Sequence, residues 1–130
     1  MSNSLLSQII ENINNSKFHE SEQLAWGLYN QNKTDFHIIK TLALTLLLQN
    51  KYNGSIDFYL KAEKINSNDF DVINNIAHLY LKIEEFEKSY AYAKKAQKLN
   101  EDAYQSYITL LELYLRKRDY EKAYLYTVEI

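Results

Sequence analysis

Apolar residues recur along the chain at the spacing of one helix face, most clearly in residues 70–103. The first half carries them at intervals of three, one and three residues, and a second stripe follows a polar turn at Glu84 and Glu85. The first stripe is Ile73, Ile76, Ala77 and Tyr80, and the second is Phe86, Ser89, Tyr90, Ala93, Ala96 and Leu99. The pattern therefore predicts two short amphipathic helices that lie antiparallel as a helical hairpin.

The hairpin pattern recurs at a constant interval without a gap, so that Phe36, Phe70 and Tyr104 begin successive copies. Residues 36–69 match it with Ile39, Leu42, Ala43 and Leu46, followed by Tyr52, Ser55, Tyr59 and Ala62. Residues 104–130 match it with Tyr107, Leu110, Leu111 and Tyr114, followed by Tyr120, Ala123 and Thr127. Residues 2–35 match more weakly with Leu5, Ile9 and Ile13, followed by Phe18, Ser21, Ala25 and Leu28. One hairpin cannot bury both of its faces alone, so successive copies are expected to stack side by side.

An aromatic residue and a small residue mark the second helix of every copy. The aromatic residues are Phe18, Tyr52, Phe86 and Tyr120, and the small residues three positions later are Ser21, Ser55, Ser89 and Ala123. This signature resembles the tetratricopeptide repeat, whose period of about 34 residues also matches the interval between copies. The resemblance implies an all-α fold: a right-handed superhelical solenoid of antiparallel helix pairs, with about three and a half to four repeats. We expect one domain over residues 1–130, with repeats 2–35, 36–69, 70–103 and a truncated 104–130.

Two local features refine the predicted helices. Asp35 and Asp69 each precede a first helix, where a carboxylate can accept free backbone N–H groups. Asn53 and Gly54 are typical of a hairpin turn, but the repeat register places Gly54 in the first turn of a helix. We therefore predict a helix there.

The composition favours helices and excludes some kinds of functional site. The chain has 12 Tyr and 5 Phe against two Gly and no Pro, which favours helices packed through large side chains. It has no Cys, so disulfides and thiolate metal sites are excluded. The absence of a basic leader and of a long apolar run predicts a cytoplasmic protein that does not bind membranes.

The residue inventory predicts a noncatalytic chain without metal or cofactor. Two glycines cannot build a phosphate-binding loop or a dinucleotide fingerprint. His19, His37 and His78 lie in different parts of the repeats and lack the spacing of a metal motif. The acidic residues Glu84, Glu85 and Glu87 form a cluster at a wet turn, where no raised pKa for acid–base catalysis is expected.

The resemblance also implies a binding surface, because first helices of this family line a concave groove that holds peptide segments. In this register the groove residues are Lys40, Leu44, Asn74, His78, Ile108 and Glu112, with Lys82 and Arg116 at the far end. Some members of the family use Lys, Asn and Arg side chains in this groove to hold the terminal carboxylate of chaperone tails. That function is disfavoured here, because Leu44, Gln105 and Thr109 occupy positions where such side chains would be needed. The leading hypothesis is an interaction scaffold for a protein or peptide partner, and the simpler alternative is that these residues form a solvated helix face.

Two other functions compete with the scaffold. The repeats resemble regions that accompany larger enzymes such as transferases, so an N-terminal or accessory region of an enzyme is an alternative. RNA binding by a related helical repeat is less favoured, because that repeat has a period one residue longer. Its backbone contacts need a basic face, whereas this chain carries 15 basic against 17 acidic residues.

The fourth copy predicts an uncovered apolar flank, because the sequence stops within its second helix. The flank residues are Tyr107, Leu111, Tyr114, Leu125 and Val128, with Leu110 beside them. Such a surface is typical of a contact with a partner. We expect either self-association through the fourth copy or a chain shortened from a longer protein.

Overall fold

The computed structural model describes residues 2–119 and residue 122, with side chains from residue 4 onward. Within these residues the chain is all-α, as predicted. Its helices are α1 (Ser2–Asn14), α2 (Phe18–Gln31), α3 (Phe36–Leu48), α4 (Tyr52–Ile65), α5 (Phe70–Lys82), α6 (Phe86–Leu99) and α7 (Tyr104–Arg116). The helix predicted after residue 119 falls mostly outside the described residues.

Helix starts follow the sequence period. The odd-numbered helices begin at Ser2, Phe36, Phe70 and Tyr104, so equal steps along the sequence separate them. The even-numbered helices begin at Phe18, Tyr52 and Phe86, which are separated by the same step. Gly54 lies in the first turn of α4, so the helical interpretation of that segment is confirmed.

The helices group into two compact units, residues 1–66 and 67–130. In the first unit α1 packs on α2, α2 on α3 and α3 on α4. In the second unit α6 packs on both α5 and α7, and α5 also contacts α7. A single domain over residues 1–130 stays a prediction.

The predicted apolar stripes form the cores of both units. Leu42 and Ala43 of α3 are fully buried in the first unit, as are Ile73, Ile76 and Ala77 of α5 in the second. Helix α5 also buries Val72, Leu79 and Leu81, which the single predicted stripe left out. Helix α5 has two neighbours in this unit, because both α6 and α7 pack on it. It therefore needs a wider apolar surface than a helix with one neighbour.

A buried serine fixes the distance between the two helices of each described pair. Ser21, Ser55 and Ser89 are fully buried in α2, α4 and α6. Each hydroxyl donates to a carbonyl of the preceding helix, 12 residues earlier: Ser21 to Ile9 at 3.3 Å, Ser55 to Ala43 at 2.7 Å and Ser89 to Ala77 at 2.7 Å. The small side chain therefore permits close approach and also bonds across the contact.

The turn inside each hairpin uses one residue with left-handed backbone. Ser16, Asn50, Glu84 and Arg118 have φ angles of 60°, 61°, 65° and 61°. In the third copy the N–H of Glu84 donates to the carbonyl of Leu81 at 3.1 Å, and that of Glu85 to Tyr80 at 2.8 Å. These two bonds terminate the first helix as a Schellman motif, and the other three turns repeat them.

The two predicted aspartate caps are confirmed. Asp35 accepts the N–H of Ile38 at 3.1 Å, and Asp69 accepts that of Val72 at 3.0 Å. Ala103 occupies the same position before α7 with φ −78° and ψ 119°, close to the −78° and 115° of Asp69. Its side chain offers no acceptor, so α7 lacks this side-chain cap.

We expect the hydroxyl of Ser89 to stabilise the second unit independently of its small size. Ser89→Ala keeps the close helix approach and removes only the bond to Ala77, so the free energy of unfolding should fall by about 1 kcal/mol. Ser89→Leu should cost a further ~1–3 kcal/mol, because its volume has no room between α5 and α6. Urea denaturation measures both, and an unchanged midpoint for Ser89→Ala would show that size alone matters.

We expect Ala103→Asp to stabilise the chain by about 1 kcal/mol, because an aspartate there can cap α7 as Asp69 caps α5. Asp69→Ala is the matched reverse change and should destabilise by a similar amount. Thermal unfolding followed by circular dichroism checks both variants. A lower melting temperature for Ala103→Asp would contradict the equivalence of the two positions.

Candidate functional site

Six of the predicted groove residues lie on two adjoining helices of the second unit. Asn74, His78 and Lys82 follow one another at intervals of four along α5, which places them in a line on one face. Ile108, Glu112 and Arg116 form the equivalent line on α7. We call these six residues the groove face. Helices α5 and α7 contact each other, and the charge of Glu112 on α7 acts on the imidazole of His78 on α5, so these two members of the lines lie near each other.

Charged residues occupy one end of the groove face. The Nε of Arg116 lies 3.9 Å from a carboxylate oxygen of Glu112, and its Nη1 lies 3.8 Å from one of Glu84. Both pairs are long and exposed to solvent, so they contribute little to stability. Arg116 and Glu112 can therefore exchange these contacts for charges on a bound molecule at small cost.

His78 lies half-buried on α5. Burial lowers the pKa of its imidazole, the nearby charge of Lys82 lowers it further, and the carboxylate of Glu112 on α7 opposes both. A neutral imidazole is therefore favoured near pH 7, and it offers one hydrogen-bond donor and one acceptor.

Asn74 carries an unusual polar atom. Its side chain is half-buried, and its Oδ1 is enclosed without a hydrogen-bond donor among the described residues. A buried carbonyl oxygen without a donor costs about 1–3 kcal/mol. The Oδ1 of Asn74 is thus a polar atom that the described residues leave without a hydrogen bond.

Ile108 adds an apolar contact to the same face, since its side chain is 43% exposed. The groove face therefore combines an apolar side chain, an amide, a neutral imidazole and charges of both signs. This combination suits a peptide better than a nucleic acid backbone, which needs a strongly basic surface.

The remaining predicted groove residues, Lys40 and Leu44, belong to α3 in the first unit. The ammonium of Lys40 lies 5.8 Å from the ring centre of Phe36, within reach of a cation–π contact. Leu44 is half-buried, and Leu48, one turn further along α3, is 40% exposed. The first unit thus presents its own face with one charge beside apolar surface.

The residues of the predicted self-association flank divide into three groups. Tyr107 and Leu111 keep partly exposed side chains, whereas Leu125 and Val128 lie outside the described residues. Tyr114 is only 9% exposed and Leu110 is fully buried, because they pack with Ala77 and Ala93. The described part of this flank therefore exposes less apolar surface than the sequence pattern indicated.

The sequence pattern missed a polar cluster around Glu22 in the first unit. Its carboxylate accepts from the Nζ of Lys51 at 2.7 Å, from Gln49 at 2.7 Å and from the indole of Trp26 at 3.1 Å. Burial raises the pKa of Glu22, but these bonds outweigh it and hold the pKa below its ordinary value. Lys51 and Gln49 lie 29 and 27 residues away in sequence, so no helical spacing could have revealed the cluster.

Two wider properties of the described residues bear on function. No group of three or more His, Cys, Asp or Glu side chains there could hold a metal ion. In the same part of the chain, no helix has both the length and the apolar character needed to cross a membrane.

The paired helices, the serine contacts and the repeated turns define a helical-repeat protein. Residues 70–102 match the family model of the tetratricopeptide repeat, in agreement with the predicted resemblance. Residues 70–102 are therefore similar in sequence to a tetratricopeptide repeat, and the described helices have the fold of such repeats. The sequence matches no curated protein.

Solved structures share the fold at low sequence identity. MamA from Desulfovibrio magneticus RS-1 is 16% identical with a TM-score of 0.90, covering 96% of this chain and 71% of that one. The Yersinia enterocolitica type III secretion chaperone SycD, solved in complex with a peptide of the translocator YopD, is 15% identical with a TM-score of 0.79, covering 88% and 93%. A tetratricopeptide repeat protein from Parabacteroides merdae is 11% identical with a TM-score of 0.85, covering 94% of this chain and 48% of that one.

We expect His78 to make the second unit less stable in mild acid. Its pKa is lowered in the folded chain, so the unfolded chain binds the proton more readily, and stability falls as the pH drops below about 6.5. His78→Gln cannot take up the proton and should remove this part of the loss. Urea denaturation between pH 7.5 and about pH 5 measures the difference.

The exposed His37 on α3 supplies a matched control. His37→Gln, measured in the same way, separates the effect of the half-buried site of His78 from the loss of an imidazole as such. Equal pH dependence in the His78→Gln and unaltered proteins would contradict the buried environment of His78.

Proposed function

We propose that this chain is a noncatalytic interaction module that binds a segment of a partner protein along the groove face of its second unit. The observation that carries the proposal is the enclosed Oδ1 of Asn74 on α5, which has no hydrogen-bond donor among the described residues. The fold supports it, since similar structures include a chaperone solved with a peptide of another protein.

The amide of Asn74 is suited to a peptide backbone. A side-chain amide offers an acceptor and two donors, and a peptide bond offers the complementary pair. Rotation of the half-buried side chain toward a bound segment would give its Oδ1 an N–H to accept. Binding would then remove a desolvation penalty that the free protein carries.

The other residues of the groove face supply selectivity. Ile108 offers apolar contact, while Glu112 and Arg116 can pair with charges on the segment. The line from Asn74 to Lys82 extends ~12 Å, which corresponds to about four residues of extended peptide. The proposed partner segment is therefore short and extended, with an apolar side chain and at least one charge.

Lys40 and Leu44 are proposed to serve the same purpose on α3 of the first unit. Self-association and a cytoplasmic location remain predictions, as do the absence of nucleic acid and membrane among the partners. No observation in the described residues favours the enzyme-accessory alternative over the interaction module.

Peptide arrays test the groove face directly. The intact chain is applied to an array of random ten-residue peptides, and the strongest binders are synthesised with a fluorescent label for anisotropy titrations. Asn74→Ala and Glu112→Ala should each weaken binding by about tenfold, a loss of ~1.4 kcal/mol.

Glu87→Ala on α6 is the matched control, since this exposed carboxylate belongs to the same unit but lies outside the groove face. It should bind the same peptides with unchanged affinity. Unchanged affinity for both groove variants, with circular dichroism spectra like that of the unaltered protein, would reject the groove face as the binding surface.

A further inference from the structure

Helix α7 carries a second exposed surface, beside the groove face. Tyr104 is 58% exposed, Ile108 43% and Leu115 46%, and Leu111 between them is partly exposed. These four residues, spaced by four, three and four, form one stripe along the helix, which we call the outer stripe. The opposite side of α7 buries Ser106, Leu110 and Leu113.

The repeat register gives two residues of the outer stripe buried counterparts in α5. Ala77 is the counterpart of Leu111 and is fully buried, whereas Asn74, the counterpart of Ile108, lies on the groove face. Leu81 of α5 is the counterpart of Leu115 in the preceding repeat, and it is fully buried. Helix α5 has α6 and α7 packed on it. On α7, Leu111 packs partly against the buried cluster that includes Ala77 and Ala93, while Tyr104, Ile108 and Leu115 stay exposed. A spacing of four and three residues is also that of helices that pack side by side in coiled coils.

Charges of opposite sign flank the two ends of α7. Glu101 and Asp102 lie in the turn before the helix, and Lys117 and Arg118 lie in the turn after it. All four side chains are exposed. Within the part of the chain that the structure describes, none of them forms an ion pair.

The stripe and the charges are arranged symmetrically about a point between Thr109 and Leu110, near the middle of α7. Tyr104 and Leu115 are equally far from this point, and so are Ile108 and Leu111. The charged residues are also paired by equal distance from this point, with opposite sign: Asp102 corresponds to Lys117, and Glu101 corresponds to Arg118. A two-fold axis through this point therefore places apolar residues opposite apolar residues and each acid opposite a base.

We propose that the outer stripe binds the outer stripe of a second copy of this chain, with the two α7 helices antiparallel. Tyr104 of one copy packs beside Leu115 of the other, and Ile108 beside Leu111. At both ends the acidic turn of one copy meets the basic turn of the other. The contact is isologous, so it closes as a dimer and does not extend into a filament.

One helix from each copy makes a small interface. Stable complexes bury about 1,200–2,000 Å², and a single short helix pair lies at or below the low end of that range. The dimer is therefore reversible, and its population rises with protein concentration. Its acid–base contacts are exposed, so it weakens as salt screens them.

Sedimentation velocity of the intact chain over a concentration series tests the dimer. The unaltered chain shifts from monomer to dimer as concentration rises, and Leu115→Glu reduces the association constant at least tenfold. Leu48→Glu is the control, because Leu48 is a similarly exposed leucine on α3 outside the outer stripe. A monomer at every concentration, or a dimer that Leu115→Glu leaves intact, overturns the proposal.

Charge exchange tests the antiparallel arrangement separately. Replacing Glu101 and Asp102 by Lys makes both ends of α7 basic, and replacing Lys117 and Arg118 by Glu makes both ends acidic. Each pair of changes alone weakens the dimer at least tenfold, and all four together restore it, because the opposite signs are again matched. Failure of the fourfold variant to recover association, with native circular dichroism, overturns the antiparallel pairing.

Discussion

A buried hydroxyl at the same place in each described helix pair sets the geometry on which the rest of the structure depends. The Oγ atoms of Ser55 and Ser89 lie 2.7 Å from carbonyls of Ala43 and Ala77 on the preceding helices. A small side chain permits this approach, and its hydroxyl adds a hydrogen bond between the two helices. The register of each hairpin follows from this contact, and the core residues on either side then meet at fixed positions.

That geometry decides which surfaces remain for binding. Helix α5 packs one side against α6 and another against α7, so its apolar residues are buried in these contacts. Asn74, His78 and Lys82 form a polar line on α5 whose side chains stay partly exposed. No donor among the described residues reaches the Oδ1 of Asn74, so this oxygen lowers the stability of the fold, and the proposed peptide segment would supply the missing donor.

The repeated features of the fold were predictable from sequence, and the unique ones were not. Ile73, Ile76 and Ala77 follow the helical period, so their burial could be read from spacing alone. The hydrogen bonds of Glu22 to Gln49 and Lys51, in contrast, join residues far apart in sequence and occur in one repeat alone among the described residues. The groove face is predicted by register and stays a prediction. The environment of the Asn74 Oδ1 depends on which atoms surround it, which spacing does not specify.

The two proposed surfaces of α7 meet at Ile108. Its side chain belongs to the groove face through its spacing from Glu112, and to the outer stripe through its spacing from Leu115. A side chain packed against a second copy offers less surface to a peptide, and a side chain covered by a peptide offers less to the copy. If both surfaces are used, partner binding and self-association therefore oppose each other. By linkage, each lowers the affinity of the other by the same factor.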